Sequence, residues 1–180
     1  SLAMQNSSDQ KKILIVDDEK TVCRLLERIV KRIGRECLSV ENAETGRRAL
    51  KEEAFDLLLC DIEMPGESGL DFIQYVMTDH PETAVIMVTG VDDPKTVERA
   101  LELGAYGYIV KPFKVSEVVI NISSALRRRQ LEAQSRAYQE DLEQKVAART
   151  VELEKTLDGL IQVVTRTIES RDPYTAGHQR

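Results

Sequence analysis

From Lys12 onward the chain alternates short apolar runs with amphipathic stretches. The runs are Ile13 to Val16, a weaker one from Cys37 to Val40, then Leu57 to Cys60, Ala84 to Val88 and Tyr106 to Val110. A short apolar run without polar alternation is what a strand covered on both faces requires. Between the runs lie helical patterns such as TVCRLLERIVKRIG, where Val22, Leu25, Leu26 and Ile29 share one face and Gly34 ends the helix. Five such strands with intervening helices predict an α/β fold, a doubly wound five-stranded parallel sheet.

The polar residues that follow the runs carry the chemistry. Asp17 and Asp18 follow the first, Asp61 the third, Thr89 the fourth and Lys111 the fifth. Ligands of doubly wound sheets bind outside the carboxyl ends of the strands, so all five residues fall on one rim. Three crowded carboxylates repel one another unless they take up protons or a cation neutralises them. Hard oxygen donors with room for water suit Mg²⁺. A lysine and a hydroxyl facing the same point supply charge and a hydrogen bond for a phosphoryl group. The set reads as a carboxylate that accepts phosphate, with Asp61, at the end of the middle strand, as the nucleophile. Singly, these residues have plainer uses. Asp18 or Asp92 could cap a helix, and one of Tyr106 and Tyr108 could simply fill the core. Cys60 points to the opposite strand face from Asp61 and reads as packing. His80, ahead of a proline in TDHPET, reads as a solvated loop residue.

Taken together, the pair Asp17-Asp18, the block CDIEMPG around Asp61, VTG with Thr89 and YIVKPF with Tyr108, Lys111 and Pro112 resemble the receiver domain of two-component response regulators, from Lys12 to about Arg128. The resemblance implies a flavodoxin-like fold that accepts a phosphoryl group on Asp61 from a sensor histidine kinase or phosphotransfer protein. It implies that Asp18, Asp61 and the backbone carbonyl of Glu63 bind Mg²⁺, with Asp17 acting on the metal through water. Thr89 and Lys111 would grip the phosphoryl oxygens, Tyr108 would follow Thr89 inward, and the Lys111-Pro112 bond would be cis. Glu63 departs from the family, which more often has a neutral polar residue there, and its charge bears on the lifetime of the phosphorylated state.

Composition narrows the setting. Hydrophobic residues make up 42% of 180, charged residues 31%, and the net charge is -6, so general attraction to nucleic acid or an anionic membrane is not expected. Cys23, Cys37 and Cys60 have no metal-ligand spacing and fit reduced thiols. With no apolar run long enough to span a bilayer, the expected location is cytoplasmic. Residues 1–10 lack a periodic pattern and are expected to be a disordered tail or an expression scar, ahead of a receiver at 11–128.

Beyond the receiver, no proline occurs between Val115 and Pro173. A helix continuous to about Ile168 would run on the order of 80 Å, and residues 129–168 are expected to form a coiled-coil dimerisation helix. Val146, Leu153 and Leu160 recur every seven residues, with Leu157 and Val164 on the partner positions, which is a heptad seam. Upstream, Leu131, Tyr138 and Leu142 fit a frame offset by one residue, so the register slips before Val146. The plainer reading is a solvated spacer. Arg127 to Arg129 suggest DNA contact, but surrounding acids and the lack of a helix-turn-helix pattern argue against nucleic acid.

Residues 169–180, with RDPYTAGH, resemble the entry into an HD-GYP domain, a family of metal-dependent phosphodiesterases of cyclic di-GMP. By that resemblance His178 would be a metal ligand in the parent enzyme, whereas this stretch alone cannot build the metal centre. Two functions therefore compete. One is a phosphorylatable receiver that controls an output domain through a dimerising linker; the other is a docking or dimerisation platform independent of phosphorylation.

Overall fold

The computed structural model of the chain describes residues 11–90 and 93–171. Residues 1–10, Asp92 and His178 lie outside the described residues. Two compact units divide the chain, Ser1–Leu131 and Glu132–Arg180.

The first unit contains strands β1 (Lys12–Val16), β2 (Glu36–Val40), β3 (Leu57–Cys60), β4 (Ala84–Thr89) and β5 (Gly107–Val110). Helices α1 (Lys20–Arg32), α2 (Ala43–Glu52), α3 (Gly69–Asp79) and α4 (Pro94–Glu102) connect them, and α5 (Val115–Arg171) follows β5. All strands pair in parallel in the order β2-β1-β3-β4-β5, the flavodoxin-like arrangement, which reverses direction beside β1. Every residue of β3 and β4 is buried, as expected of strands covered on both faces. β2 is the weak run of the sequence because it is an edge strand, partly open to solvent.

Strand alternation sorts the core into two layers. Ile13, Ile15, Leu57, Leu59, Ile86 and Ile109 meet Leu26, Ile29 and Val30 of α1 and Val118, Ile122 and Leu126 of α5. Leu14, Val16, Leu58, Cys60, Val85 and Met87 meet Leu50 of α2, Phe72, Ile73 and Val76 of α3 and Ala100 of α4. Cys60 is therefore packing, as its parity predicts. Tyr106 and Tyr108 join opposite layers, since Tyr106 lies just before β5 begins.

The helix starts are set by short polar side chains. Asn42 Oδ1 accepts from the Thr45 N–H (2.9 Å), Ser68 Oγ from Leu70 (3.3 Å) and Asp93 Oδ2 from Thr96 (3.2 Å). Asp93, not Asp18, is the aspartate that caps a helix with its side chain among the described residues. His80 differs from expectation. It ends α3 half-buried, with Nε2 3.2 Å from Tyr75 Oη and its ring edge-on to that tyrosine. Two of the three consecutive arginines also have local roles: Arg128 stacks on Tyr106, and Arg129 pairs with Asp56 at 3.1 Å.

In the second unit α5 continues with its side chains exposed from Gln134 onward, including Leu142, Val146, Leu153, Leu157, Leu160 and Val164. No helix among the described residues is long and apolar enough to cross a membrane.

Candidate functional site

The site forms where β1, β3, β4 and β5 end together. Register pairs Val16 with Cys60 and Thr89 with Val110, so the next residues emerge side by side. Backbone bonds fix that rim: Asp17 N–H donates to Val40 O (3.1 Å), Asp61 N–H to Val16 O (3.0 Å) and Lys111 N–H to Thr89 O (2.8 Å).

Asp17 and Asp61 are held in the same way. Asp17 Oδ1 accepts from the Glu19 N–H at 2.8 Å, and Asp61 Oδ1 accepts from the Glu63 N–H at 3.1 Å. Each carboxylate thus uses one oxygen to shape the loop behind it and presents the other to the lysine. Lys111 Nζ donates to Asp61 Oδ2 at 3.1 Å and to Glu19 Oε1 at 3.0 Å, and stands 2.8 Å from Asp17 Oδ2. The last contact is a buried ion pair, and that oxygen has a charge partner without a hydrogen bond. The Lys111-Pro112 peptide is cis.

Burial pushes the Asp17 carboxyl above the ordinary 3.8, and the Lys111 ammonium and Glu19 N–H pull it back only partly. Burial alone would lower the Lys111 pKa. Its hydrogen bond to Glu19 and the negative charges of Asp17 and Asp61 outweigh burial and hold the ammonium above the ordinary 10.5. Cys60 is inert as a nucleophile because burial raises its thiol well above the ordinary 9.0.

The carboxylates of Asp17, Glu19 and Asp61 have oxygens within 4.8 Å of one another. Hard oxygens at that spacing, one of them buried and lacking a donor, fit a small divalent cation. The structure brings together Asp17, Asp61 and Lys111 of the residues predicted from sequence and adds Glu19. Glu19 occupies the cap position of α1 in extended conformation. The only signal for it was a third acid directly after the pair. Asp18 has an exposed side chain and is not one of the clustered three, and the Glu63 side chain is also exposed.

Thr89 is fully buried at the end of β4, and Tyr108 is half-buried on β5. Met87 pairs with Tyr108 and Thr89 with Val110, so Thr89 and Tyr108 share the sheet face toward α4. Gly69, the first residue of α3, sits so close to the site that a Cβ there would lie 2.3 Å from the Asp61 carbonyl oxygen. Beside Lys111 an open, mostly apolar depression of 410 Å³ is lined by Val22, Leu25, Pro112 and Phe113, with Glu19 at its edge.

Known proteins are similar to this chain in sequence and fold. The family model for the response regulator receiver domain matches residues 13–123. Response regulator protein PilR of Pseudomonas aeruginosa is 38% identical over 125 residues, 69% of this chain and 28% of PilR. The DNA-binding transcriptional regulator NtrC of Escherichia coli K12 is 33% identical, over 71% of this chain and 27% of its own length. The chain thus spans little more than a quarter of these relatives. Among solved structures, the CheY-like receiver domain protein of Methanospirillum hungatei JF-1 superposes with a TM-score of 0.66 at 29% identity, covering 68% of this chain and 98% of that one. NtrX of Brucella abortus gives 0.68 at 29% identity, covering 72% of this chain and 29% of NtrX.

Proposed function

The chain belongs to the response regulator receiver family, and from that premise we propose that Asp61 is the phosphoacceptor of a two-component relay, with Lys111, Thr89 and Mg²⁺ as its auxiliaries. The observation that carries this reading is the shared lysine: Lys111 Nζ lies 3.1 Å from Asp61 Oδ2 and 2.8 Å from Asp17 Oδ2, on a rim where strand ends converge. An oxygen of Asp61 attacks the phosphorus of a phosphohistidine donor. The new O–P bond makes an acyl phosphate, and the P–N bond breaks with its electron pair passing to the imidazole nitrogen. Lys111 meets the charge on the phosphoryl oxygens, and the buried Thr89 hydroxyl supplies a hydrogen bond on the α4 side. Asp17, Asp61, Asp18 and the Glu63 carbonyl, with the nearby Glu19 carboxylate, would hold Mg²⁺. When bound, the ion neutralises the crowded carboxylates and the incoming phosphoryl charge. The apolar depression beside Lys111 offers a docking place for the phosphodonor, a sensor histidine kinase or phosphotransfer protein.

Thr89 and Tyr108 are the readout, moving together because they share one sheet face. α5 carries the change onward and pairs two copies through its exposed apolar side. The RDPYTAGH segment supports an HD-GYP phosphodiesterase as the output, with His178 as a metal ligand there. The cytoplasm, where phosphohistidine kinases present their phosphoryl groups, is the proposed location. The test is intact mass after incubation with acetyl phosphate. Gain of one phosphoryl group with Mg²⁺, and none with a chelator, is expected. No gain under either condition would favour a docking platform that works without phosphorylation.

A further inference from the structure

The exposed apolar side of α5 has a longer period than a heptad. Leu142, Leu153 and Val164 recur every eleven residues, as do Val146, Leu157 and Ile168, and Leu160 stands two such repeats after Tyr138. At 100° per residue these eight side chains fall within about 120° of an undistorted helix. The apparent one-residue slip of a seven-residue frame is then the regular outcome of an eleven-residue one. We propose that two copies of this chain pair through this face as parallel, in-register helices with an eleven-residue repeat. Such a pair is nearly straight or weakly right-handed, not a left-handed coiled coil. The inference rests on the reading of α5 as the dimer-forming element.

The occupant is a second copy for two reasons. First, the area suffices: Leu153, Leu157, Leu160 and Ile168 are between 56% and 65% exposed. At roughly 100 Å² of exposed surface per side chain, these seven aliphatic residues and Tyr138 offer on the order of 800 Å² per copy, the size of a specific interface. Second, charge selects the pairing. Arg149 is the one charged side chain near the middle of the stripe, and Nη1 is 2.6 Å from Glu152 Oε2 on the next turn. A parallel, in-register pair places both arginines in a single layer, each beside its own neutralising glutamate. An antiparallel pair with the stripe matched end to end would instead set each Arg149 against the apolar layer at Leu157. A polar residue at one core position commonly fixes register in this way.

The seven- and eleven-residue frames differ at named positions. Leu142 and Ile168 lie in the core of the eleven-residue frame and outside the heptad of Val146, Leu153 and Leu160, whereas Thr150 is a core position only of the heptad. Sedimentation equilibrium of the full chain should therefore show a dimer that Leu142→Asp and Ile168→Asp each weaken by about tenfold or more and Thr150→Asp weakens far less. If Thr150→Asp is the damaging change and the other two are tolerated, the seam is a heptad and the inference is overturned. If all three leave the dimer intact, the interface is elsewhere and the inference is likewise overturned. A monomeric unsubstituted chain would instead remove the underlying dimer reading. In a Cys37→Ser background, Leu160→Cys should oxidise to an inter-chain disulfide, and failure to cross-link while dimeric would overturn the parallel register.

Discussion

Lys111 and Asp17 form a buried pair whose members are unequally satisfied: Nζ is 2.8 Å from Oδ2, yet that oxygen has no hydrogen-bond donor. The lysine balances two carboxylates at once, since Asp61 Oδ2 is 3.1 Å from the same nitrogen. Removing it leaves negative charges facing each other in a site where Asp17 is only 2% exposed. Lys111→Ala is expected to destabilise the metal-free receiver by about 1–3 kcal/mol, the cost of leaving a buried polar group unpaired. Mg²⁺ should restore much of that loss. Urea denaturation with and without the cation checks both.

The approach of α3 to the phosphoacceptor makes Gly69 irreplaceable for a steric reason. A Cβ there would sit 2.3 Å from the Asp61 carbonyl oxygen and 2.5 Å from Ile62 Cα, both backbone atoms. Gly69→Ala should therefore cost about 1–3 kcal/mol and displace the Asp61 loop. The expected signature is a lowered urea midpoint together with weakened phosphoryl uptake by the fraction that remains folded.

Protonation of Asp17 gives a stability signature of definite sign. Its carboxyl pKa in the folded chain is raised above 3.8 by burial, so between 3.8 and that raised value the folded state binds more protons than the unfolded one. Stability contributed by the neutral form is present below 3.8 and is lost as pH rises through the folded value. Lys111 follows the same sign in a higher pH window. Its raised pKa means that its contribution is complete below 10.5 and is lost only at higher pH. In chelator, Asp17→Asn should be more stable relative to the unsubstituted chain at pH 7 than at pH 3.5, as measured by urea midpoints.

Much of this was legible in the chain because parallel strands buried on both faces read as apolar runs and their following residues must share a rim. Asp17, Asp61, Thr89 and Lys111 were found that way. Glu19 was missed because its place depends on an extended residue between β1 and α1, which no periodicity records. Asp18 lies beside it in sequence, but its side chain is exposed while Asp17 is the one turned inward. The opposite layers taken by Tyr106 and Tyr108 were hidden because strand parity applies only once β5 has begun at Gly107. His80 paired with Tyr75, five residues earlier, through a helix end that the proline had suggested was open loop.

The shared face of Thr89 and Tyr108 has a spectroscopic consequence. A phosphoryl group that draws the Thr89 hydroxyl toward Asp61 alters the packing available to the tyrosine ring, and the size of the shift is bounded by the difference in contacts between the two states. Beryllofluoride with Mg²⁺ should move backbone amide signals of both residues and of α4. Stoichiometric binding without such movement would detach the readout from these two residues.

Chemical trapping locates the phosphoryl group, which is expected on Asp61. After incubation with acetyl phosphate and Mg²⁺, borohydride reduction converts an aspartyl phosphate to homoserine at the modified position. Peptide mass mapping should find homoserine at position 61 in the unsubstituted chain, with no phosphoryl uptake by a folded Asp61→Asn variant. Trapping at Asp17 or Asp18, or undiminished uptake by Asp61→Asn, would place the phosphoacceptor elsewhere.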